Sequence, residues 1–262
     1  MRIDQFLNPV FIYRNRQRII PYLEKHRNDR KLRKFKDRHS GERCFVIGNG
    51  PSLTVSDLEK IKGEVTFAAN KIYLIFNQTD WRPRYHVLED DYILSQHYEE
   101  IRCWKGFTKF INHNWKHLFR GDRNTIWYRW RSPGQPEYPK FSDDALKGIY
   151  GGSTVTYITL QLAYFMGFTR VYLIGVDHNY SLSYQGQAYT VEHSTQHGQD
   201  HFTPNYFEPG ERRWLPRLDL IELALQCAKE SYESDGRKIF NATRGGKLEV
   251  FDRVCLEEVL RH

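Results

Sequence analysis

The sequence predicts an α/β protein with a doubly wound, mostly parallel sheet, a long functional loop and a basic helical arm at its start. Three observations carry this. From residue 44 onward, short apolar runs alternate with segments of helical periodicity, the pattern of parallel strands joined by crossover helices. A Gly-Asn-Gly-Pro-Ser turn joins the first apolar run directly to a helix start. Polar residues recur just after several of the runs, where a parallel sheet presents its ligand-binding loops.

The elements follow in order. Residues 1–43 form the arm. Its apolar residues Phe6, Leu7, Val10, Phe11, Ile12 and Tyr13 lead through Ile19, Ile20, Tyr22 and Leu23 into a basic run from Arg27 to Arg43. That order fits an amphipathic helix on an anionic membrane face. It also fits a helix packed on the body with a solvated basic side, and Pro9 and Pro21 interrupt the pattern. Residues 44–262 form the α/β domain. Cys44–Ile47 reads as a buried strand. Ser56-Asp57-Leu58-Glu59 reads as a capping box opening the next helix. Val65–Ala69, Tyr85–Leu88, Phe107–Ile111 and Thr125–Tyr128 read as further strands, and Arg131–Gly152 as loop. Ser153 caps a helix that runs to Met166 and stops at Gly167. Val171–Ile174 is a strand. Residues 178–213 form a polar loop long enough to be functional. Leu215–Tyr232 is a helix, Lys238–Phe240 a strand and Val254–Leu260 a closing helix.

Composition sets limits. Of 262 residues, 40% are hydrophobic and 27% charged, ordinary for a globular chain. No run approaches the ~20 apolar residues of a transmembrane helix. No secretory signal is recognisable, and four widely spaced cysteines without a C-x-x-C pair suit a reducing cytoplasm. The net charge is +7, but residues 1–43 hold 13 basic against 5 acidic residues, and the remainder 26 against 27. The basicity belongs to the arm, so the body is not expected to bind nucleic acid.

Gly48-Asn49-Gly50-Pro51-Ser52 lies between a strand and a helix. Glycines let backbone approach a phosphate or ribose, and the helix start offers unpaired N–H groups. Leu53 stands where a dinucleotide fingerprint has its third glycine, and no Gly-Lys-Ser/Thr follows. A plain tight turn would also need the glycines; the strand–turn–helix setting favours a nucleotide. Asn70, Asp90 and Asp177 each follow a strand, so they converge on one edge of the sheet. Gly151-Gly152-Ser153-Thr154 precedes the central helix and suits close backbone approach to a ligand, although a cap alone needs only Ser153. His178, His193, His197 and His201 lie in or beside the long loop. Zinc would need a helix across the last three, which Ser194, Gly198 and Pro204 disfavour. A single histidine acting as general base fits better.

The string CFVIGNGPSL at 44–53, Asn70, the stretch Gly152–Gly167 followed by VYLIGVD, and Asn241-Ala242-Thr243 followed by Gly245-Gly246 resemble the 6-hydroxymethylpterin diphosphokinase MptE-like domain family. That family includes Maf-type flagellin-glycosylation proteins. The GNGPSL loop and the helix–strand–GVD segment are also similar to bacterial lipooligosaccharide sialyltransferases. The resemblance spans roughly residues 41–255 and implies a Rossmann-like fold. It implies that Gly48, Asn49, Gly50, Ser52 and Asn70 hold a cytidine nucleotide, with Gly152, Ser153 and Thr154 beside it. It implies phosphate contact by a tyrosine, with Tyr180, Tyr184 and Tyr189 the candidates, and a histidine base, with His201 first and His178 its competitor.

The expectation is therefore a cytoplasmic glycosyltransferase that passes an acidic sugar from a CMP-activated donor to a glycan or lipid-linked glycan acceptor, with no cofactor required. The diphosphokinase branch implies instead ATP-dependent, Mg²⁺-requiring pyrophosphoryl transfer, with the metal on Asp90 and Asp91 of the Glu89-Asp90-Asp91 triplet. A non-catalytic nucleotide-binding module is the third reading.

Overall fold

The computed structural model of the chain describes residues 24–134, 138–181, 191–194 and 199–261. The apolar part of the arm from Phe6 to Leu23, and His197, Tyr184 and Tyr189, lie outside the described residues. In chain order the elements are helix α1 (24–33), β1 (Arg43–Ile47), α2 (Val55–Lys60), β2 (Thr66–Ala69), β3 (Tyr85–Leu88), α3 (Asp91–Cys103), β4 (Thr108–Asn112), β5 (Thr125–Tyr128), β6 (Trp130–Arg131) and β7 (Ile149–Tyr150). There follow α4 (Val155–Phe165), β8 (Arg170–Ile174), β9 (Val191–His193), β10 (Arg212–Trp214), α5 (Leu218–Ser234), β11 (Lys238–Asn241), β12 (Asp252–Arg253) and α6 (Leu256–Val259).

Eight strands form one parallel sheet in the order β12-β11-β8-β1-β2-β3-β4-β5. The chain winds outward from β1 to β5, then returns through α4 to place β8 on the other side of β1. The loops leaving β1 and β8 therefore diverge, and a crevice opens between them at this topological switch point. The fold is the doubly wound, Rossmann-like sheet that the strand–helix alternation predicts.

Alternation along β1 sorts the two faces. Cys44 and Val46 face a layer that includes α4, α5 and Leu32 and Phe35 of the arm segment. Phe45 and Ile47 face α2, α3 and α6. Helix α4 is the most enclosed, with Tyr157, Ile158, Leu160, Leu162 and Ala163 all fully buried. Ile158, Leu160 and Leu162 each contribute about 1.5–3 kcal/mol of burial. Gln161 is equally buried but satisfied: its Oε1 accepts from Ser142 N and Tyr150 N, both at 3.0 Å, and its Nε2 donates to Tyr150 O at 2.8 Å. It thereby pins the segment before α4 to that helix.

The basic run of the arm enters the fold through its apolar side. Leu32 and Phe35 join the core, and Phe35 meets Phe110 edge-on at 5.3 Å. Asn28 pairs with the backbone of edge strand β5, donating to Trp127 O at 2.7 Å and accepting from Trp127 N at 2.9 Å. The side chain covers an edge that would otherwise invite a second chain.

Several boundaries differ from expectation. Helix α2 is capped by Thr54, not Ser56, and Asp57 rather than Glu59 closes the capping box. Thr54 wins because its hydroxyl and N–H both reach the Asp57 carboxylate, at 2.7 and 3.0 Å. Thr154, not Ser153, caps α4, because Ser153 sits at φ 60, outside the extended geometry of a cap. Gly167 ends α4 at φ 89, as predicted. The segment expected as loop before α4 contains the short parallel pair β6–β7, and the long loop contains the antiparallel pair β9–β10. Helix α5 starts at Leu218 rather than Leu215, beyond Pro216. Helix α3 was not foreseen; only Ile93, Leu94 and Ile101 of its thirteen residues are buried.

Candidate nucleotide-binding and catalytic cleft

A cleft of ≈ 650 Å³ opens at the switch point, over the C-terminal ends of β1, β2, β3 and β8. The first wall is the loop after β1. Gly48 N donates to Ile174 O and Gly50 N to Gly175 O, each at 2.8 Å. A Cβ on Gly48 would stand 2.3 Å from Gly175 O, and one on Gly50 1.9 Å from Asp177 Oδ2. Both glycines are thus demanded by the approach of the β8 loop itself. The expected reason, room for a ligand, is not needed to explain them. Gly152 is similar, since a Cβ would meet the Tyr157 ring at 2.2 Å.

Ser52 Oγ donates to Asp177 Oδ2 at 2.9 Å, tying the two diverging loops together. Burial raises the Asp177 pKa, against the Ser52 hydrogen bonds that lower it. The loop after β11 backs this junction: Thr243 Oγ1 accepts from Val176 N at 3.1 Å, and Lys247 N donates to Asp177 O at 2.7 Å. Gly48, Asn49, Gly50, Asn70, Asp90, Gly152, Ser153, Thr154, Asp177, His178, Tyr180 and His201 all line the cleft, whereas Pro51, Ser52 and Asp91 do not.

Asn49 lines the cleft from the β1 turn. Its Nδ2 donates to Ala69 O and to the Tyr206 hydroxyl, both at 3.0 Å, which fixes the orientation of the amide. Its Oδ1 is buried with no partner among the described residues, and so is Asn70 Oδ1. A buried acceptor left unpaired costs about 1–3 kcal/mol, so two at one strand-end edge call for an explanation. Asn70 itself sits at φ 47, a left-handed conformation that Asn tolerates. Its carbonyl accepts from His86 Nε2 at 2.7 Å. Burial lowers the His86 pKa to about 4, so this imidazole is neutral. Four non-glycine residues have positive φ among those described, and three of them, Asn70, Ser153 and His178, line the cleft. Backbone strain of this kind concentrates at functional sites.

The two candidate histidines differ in setting. His201 stacks on Tyr206 at 3.8 Å between ring centroids. Burial, with Arg213 and Lys71 acting the same way against Asp200, lowers its pKa to about 3. The Phe202 N–H next to it donates to Asn49 O at 3.0 Å, so this loop folds over the β1 turn. His178 places Nε2 3.0 Å from Glu222 Oε1 on α5. A carboxylate only accepts, so Nε2 donates to it, and in the neutral ring the lone pair is then on Nδ1. Beside it, Tyr180 is held protonated, its pKa pushed up to about 12 by burial and by Asp200 and Asp177.

The acidic triplet divides. Asp90 Oδ1 caps α3, accepting from Tyr92 N at 2.9 Å and Ile93 N at 3.0 Å, while Asp91 accepts from Trp115 Nε1 outside the cleft. Glu89 lines the cleft, and its pKa is raised to about 8 by burial and then by Asp90 and Asp91. The expected carboxylate pair Asp90–Asp91 therefore does not face one ion together. No group of three His, Cys, Asp or Glu that could hold a metal occurs among the described residues.

Residues not foreseen complete the rim: Trp130, Trp214, Arg213 and Arg217. Arg213 pairs with Glu192 at 2.9 Å and Arg217 with Asp219 at 2.7 Å. Glu222 also escaped notice, because an exposed glutamate on a helix carries no sign of its distant partner.

The profile of the 6-hydroxymethylpterin diphosphokinase MptE-like family matches residues 17–182. The chain belongs to this family. The match includes the β1 turn, Asn70, the acidic triplet, the entry to α4 and the β8 end up to Tyr180. No curated protein matches the chain. Among solved structures, a MAf glycosyltransferase from Magnetospirillum magneticum AMB-1 is similar in fold, with a TM-score of 0.52 and 18% identity. The similarity covers 89% of this chain and 38% of that one, so the chain spans well under half the length of that protein.

Proposed function

We propose that the chain is a glycosyltransferase that uses a nucleotide-activated sugar, with a CMP-linked acidic sugar as the donor class and a glycan hydroxyl as acceptor. The observation that carries this is the pair of carboxamide oxygens without a partner among the described residues, Asn49 Oδ1 and Asn70 Oδ1, on two residues that line a cleft also lined by His178. Acceptors in that position suit the exocyclic amino group of cytosine and the ribose hydroxyls. The fold shared with a protein named as a glycosyltransferase supports the same reading.

The reaction needs two services from the chain. A base takes the proton of the acceptor hydroxyl as its oxygen bonds to the anomeric carbon. The bond from that carbon to the phosphate oxygen breaks, and its electron pair leaves with the nucleotide. His178 Nδ1 is the base in this proposal, with Glu222 holding the ring and stabilising the imidazolium. His201, the first candidate from the sequence, is a poor proton acceptor at neutral pH with a pKa near 3. Its stack on Tyr206 instead suits a wall of the nucleotide pocket. Tyr180, protonated at neutral pH, donates to the leaving phosphate with the N–H groups at the start of α4.

The family's pyrophosphoryl transfer is the second reading, favoured by Glu89 and Asp90 on the third strand end. Calorimetric titration with CMP, UMP, GDP and ATP, each with and without Mg²⁺, separates the two. Metal-independent CMP binding supports glycosyl transfer; Mg²⁺-dependent ATP binding supports the second reading. We further propose that the exposed cations of residues 25–38 recruit the protein to an anionic membrane face, where lipid-linked acceptors reside. Lys25, Arg27, Arg30, Arg33, Lys34, Lys36 and Arg38 are all exposed there.

A further inference from the structure

Two tryptophans stand at the mouth of the cleft with roles the donor reading does not use. Trp130 is 39% exposed and Trp214 38% exposed, and both line the cleft. Indole rings carry large apolar faces with a polar N–H, and ligand clefts are characteristically lined by such aromatic side chains. Each ring is seated. Trp130 lies against the Gly151 backbone so closely that a Cβ there would stand 2.7 Å from its indole. Trp214 packs on Tyr92 at 5.0 Å between centroids, and Arg212 covers the other ring of that pair at 4.9 Å. Their strands belong to different small sheets, β6–β7 and β9–β10, so chain segments 84 positions apart contribute them to the lining of the same cleft.

Charge at this rim is balanced. Arg213 and Arg217, the arginines that line the cleft among the described residues, are paired with Glu192 and Asp219. The mouth therefore offers aromatic faces without a net cationic clamp, unlike a phosphate site. A neutral pyranose matches this surface: the C–H bonds on its apolar face carry slight positive charge and meet the negative face of an indole.

Resting on the glycosyltransferase reading, we propose that Trp130 and Trp214 form the acceptor subsite, a stacking platform for a neutral pyranose whose free hydroxyl points toward His178. The platform recognises the sugar ring of the acceptor rather than a peptide or a phosphate.

Saturation-transfer NMR on the full chain tests this, with the methyl pyranosides of glucose, galactose, mannose and N-acetylglucosamine as probes and a Gly-Ser-Thr-Gly peptide as comparison. The expected result is saturation of ring protons on one apolar face of at least one pyranoside. Affinity should fall about tenfold in Trp130→Ala and in Trp214→Ala, and be partly restored in Trp214→Phe. Absence of saturation for all four sugars, equal saturation in wild type and both alanine variants, or saturation of the peptide alone would overturn the platform. Titrating the same samples with CMP keeps the two proposals apart. Sugar contact without nucleotide binding leaves the platform standing and removes the donor reading; nucleotide binding without sugar contact does the reverse.

Discussion

His178 and Glu222 are separated by 44 positions and meet only because β8 and α5 converge on the cleft. His178→Ala should cost on the order of 10²–10⁴ in turnover while nucleotide affinity stays nearly intact. Glu222→Gln should cost less, since the amide oxygen can still accept from the ring while the charge that stabilises the imidazolium in the transition state is lost. If His201→Ala instead abolishes turnover with CMP affinity unchanged, the base is His201. Gly50 gives a second test. A Cβ there collides with Asp177, so Gly50→Ala should destabilise by about 1–3 kcal/mol in urea unfolding and loosen the whole junction. The buried His86 sets an acid limit. The unfolded chain takes up a proton near the ordinary 6.5, whereas the folded ring resists it until about 4. Its contribution is thus lost as pH falls through that window. Stability of His86→Gln relative to wild type should rise between pH 7 and pH 4. Glu89 runs the other way: folded, it keeps its proton from the ordinary 4.5 up to about 8, so its contribution fades as pH rises through that range.

Among the elements, α4 organises the cleft. Gln161 holds the preceding segment in place through Ser142 and Tyr150. Gln161→Leu keeps the volume and strands two buried N–H groups, each worth about 1–3 kcal/mol. A loss of several kcal/mol in unfolding is expected, with weaker nucleotide binding because Gly152 to Thr154 follow directly. Elements with a strong local signal were legible in the sequence. The runs Cys44–Ile47 and Val171–Ile174 are apolar on both faces because helices cover both, and Gly167 marks the end of α4 unmistakably. Helix α3 was illegible because only one narrow stripe of it is buried. The two-residue strands β6 and β7 carry no periodicity at all. Caps shifted by one or two residues wherever a nearby carboxylate or backbone angle decided between neighbouring Ser and Thr, as at Thr54 and Thr154.

At the scale of the molecule, strand order decides where chemistry sits. The β1 turn, Asn70 and Asp177 were recognisable as strand ends, and the switch point brings them together. Trp130, Trp214, Arg213, Arg217 and Glu222 were not recognisable, because each gains meaning only from a partner far away in sequence. The charge asymmetry was plain in the sequence, and Leu32 and Phe35 show that its basic segment is also part of the core. The 262-residue chain should co-sediment with anionic vesicles at low salt, at roughly 1 kcal/mol per basic residue near the surface. Reversing Arg33, Lys34 and Lys36 to Glu should release it; equal sedimentation of the variant would end the membrane proposal. The central claim, a nucleotide-sugar cleft built on Asn49 and Asn70, is tested most directly by calorimetry with CMP on wild type and on Asn49→Ala and Asn70→Ala. Metal-independent CMP binding that both variants weaken about tenfold or more is the predicted result. Binding of ATP with Mg²⁺ and none of CMP, or CMP binding indifferent to both asparagines, would contradict it.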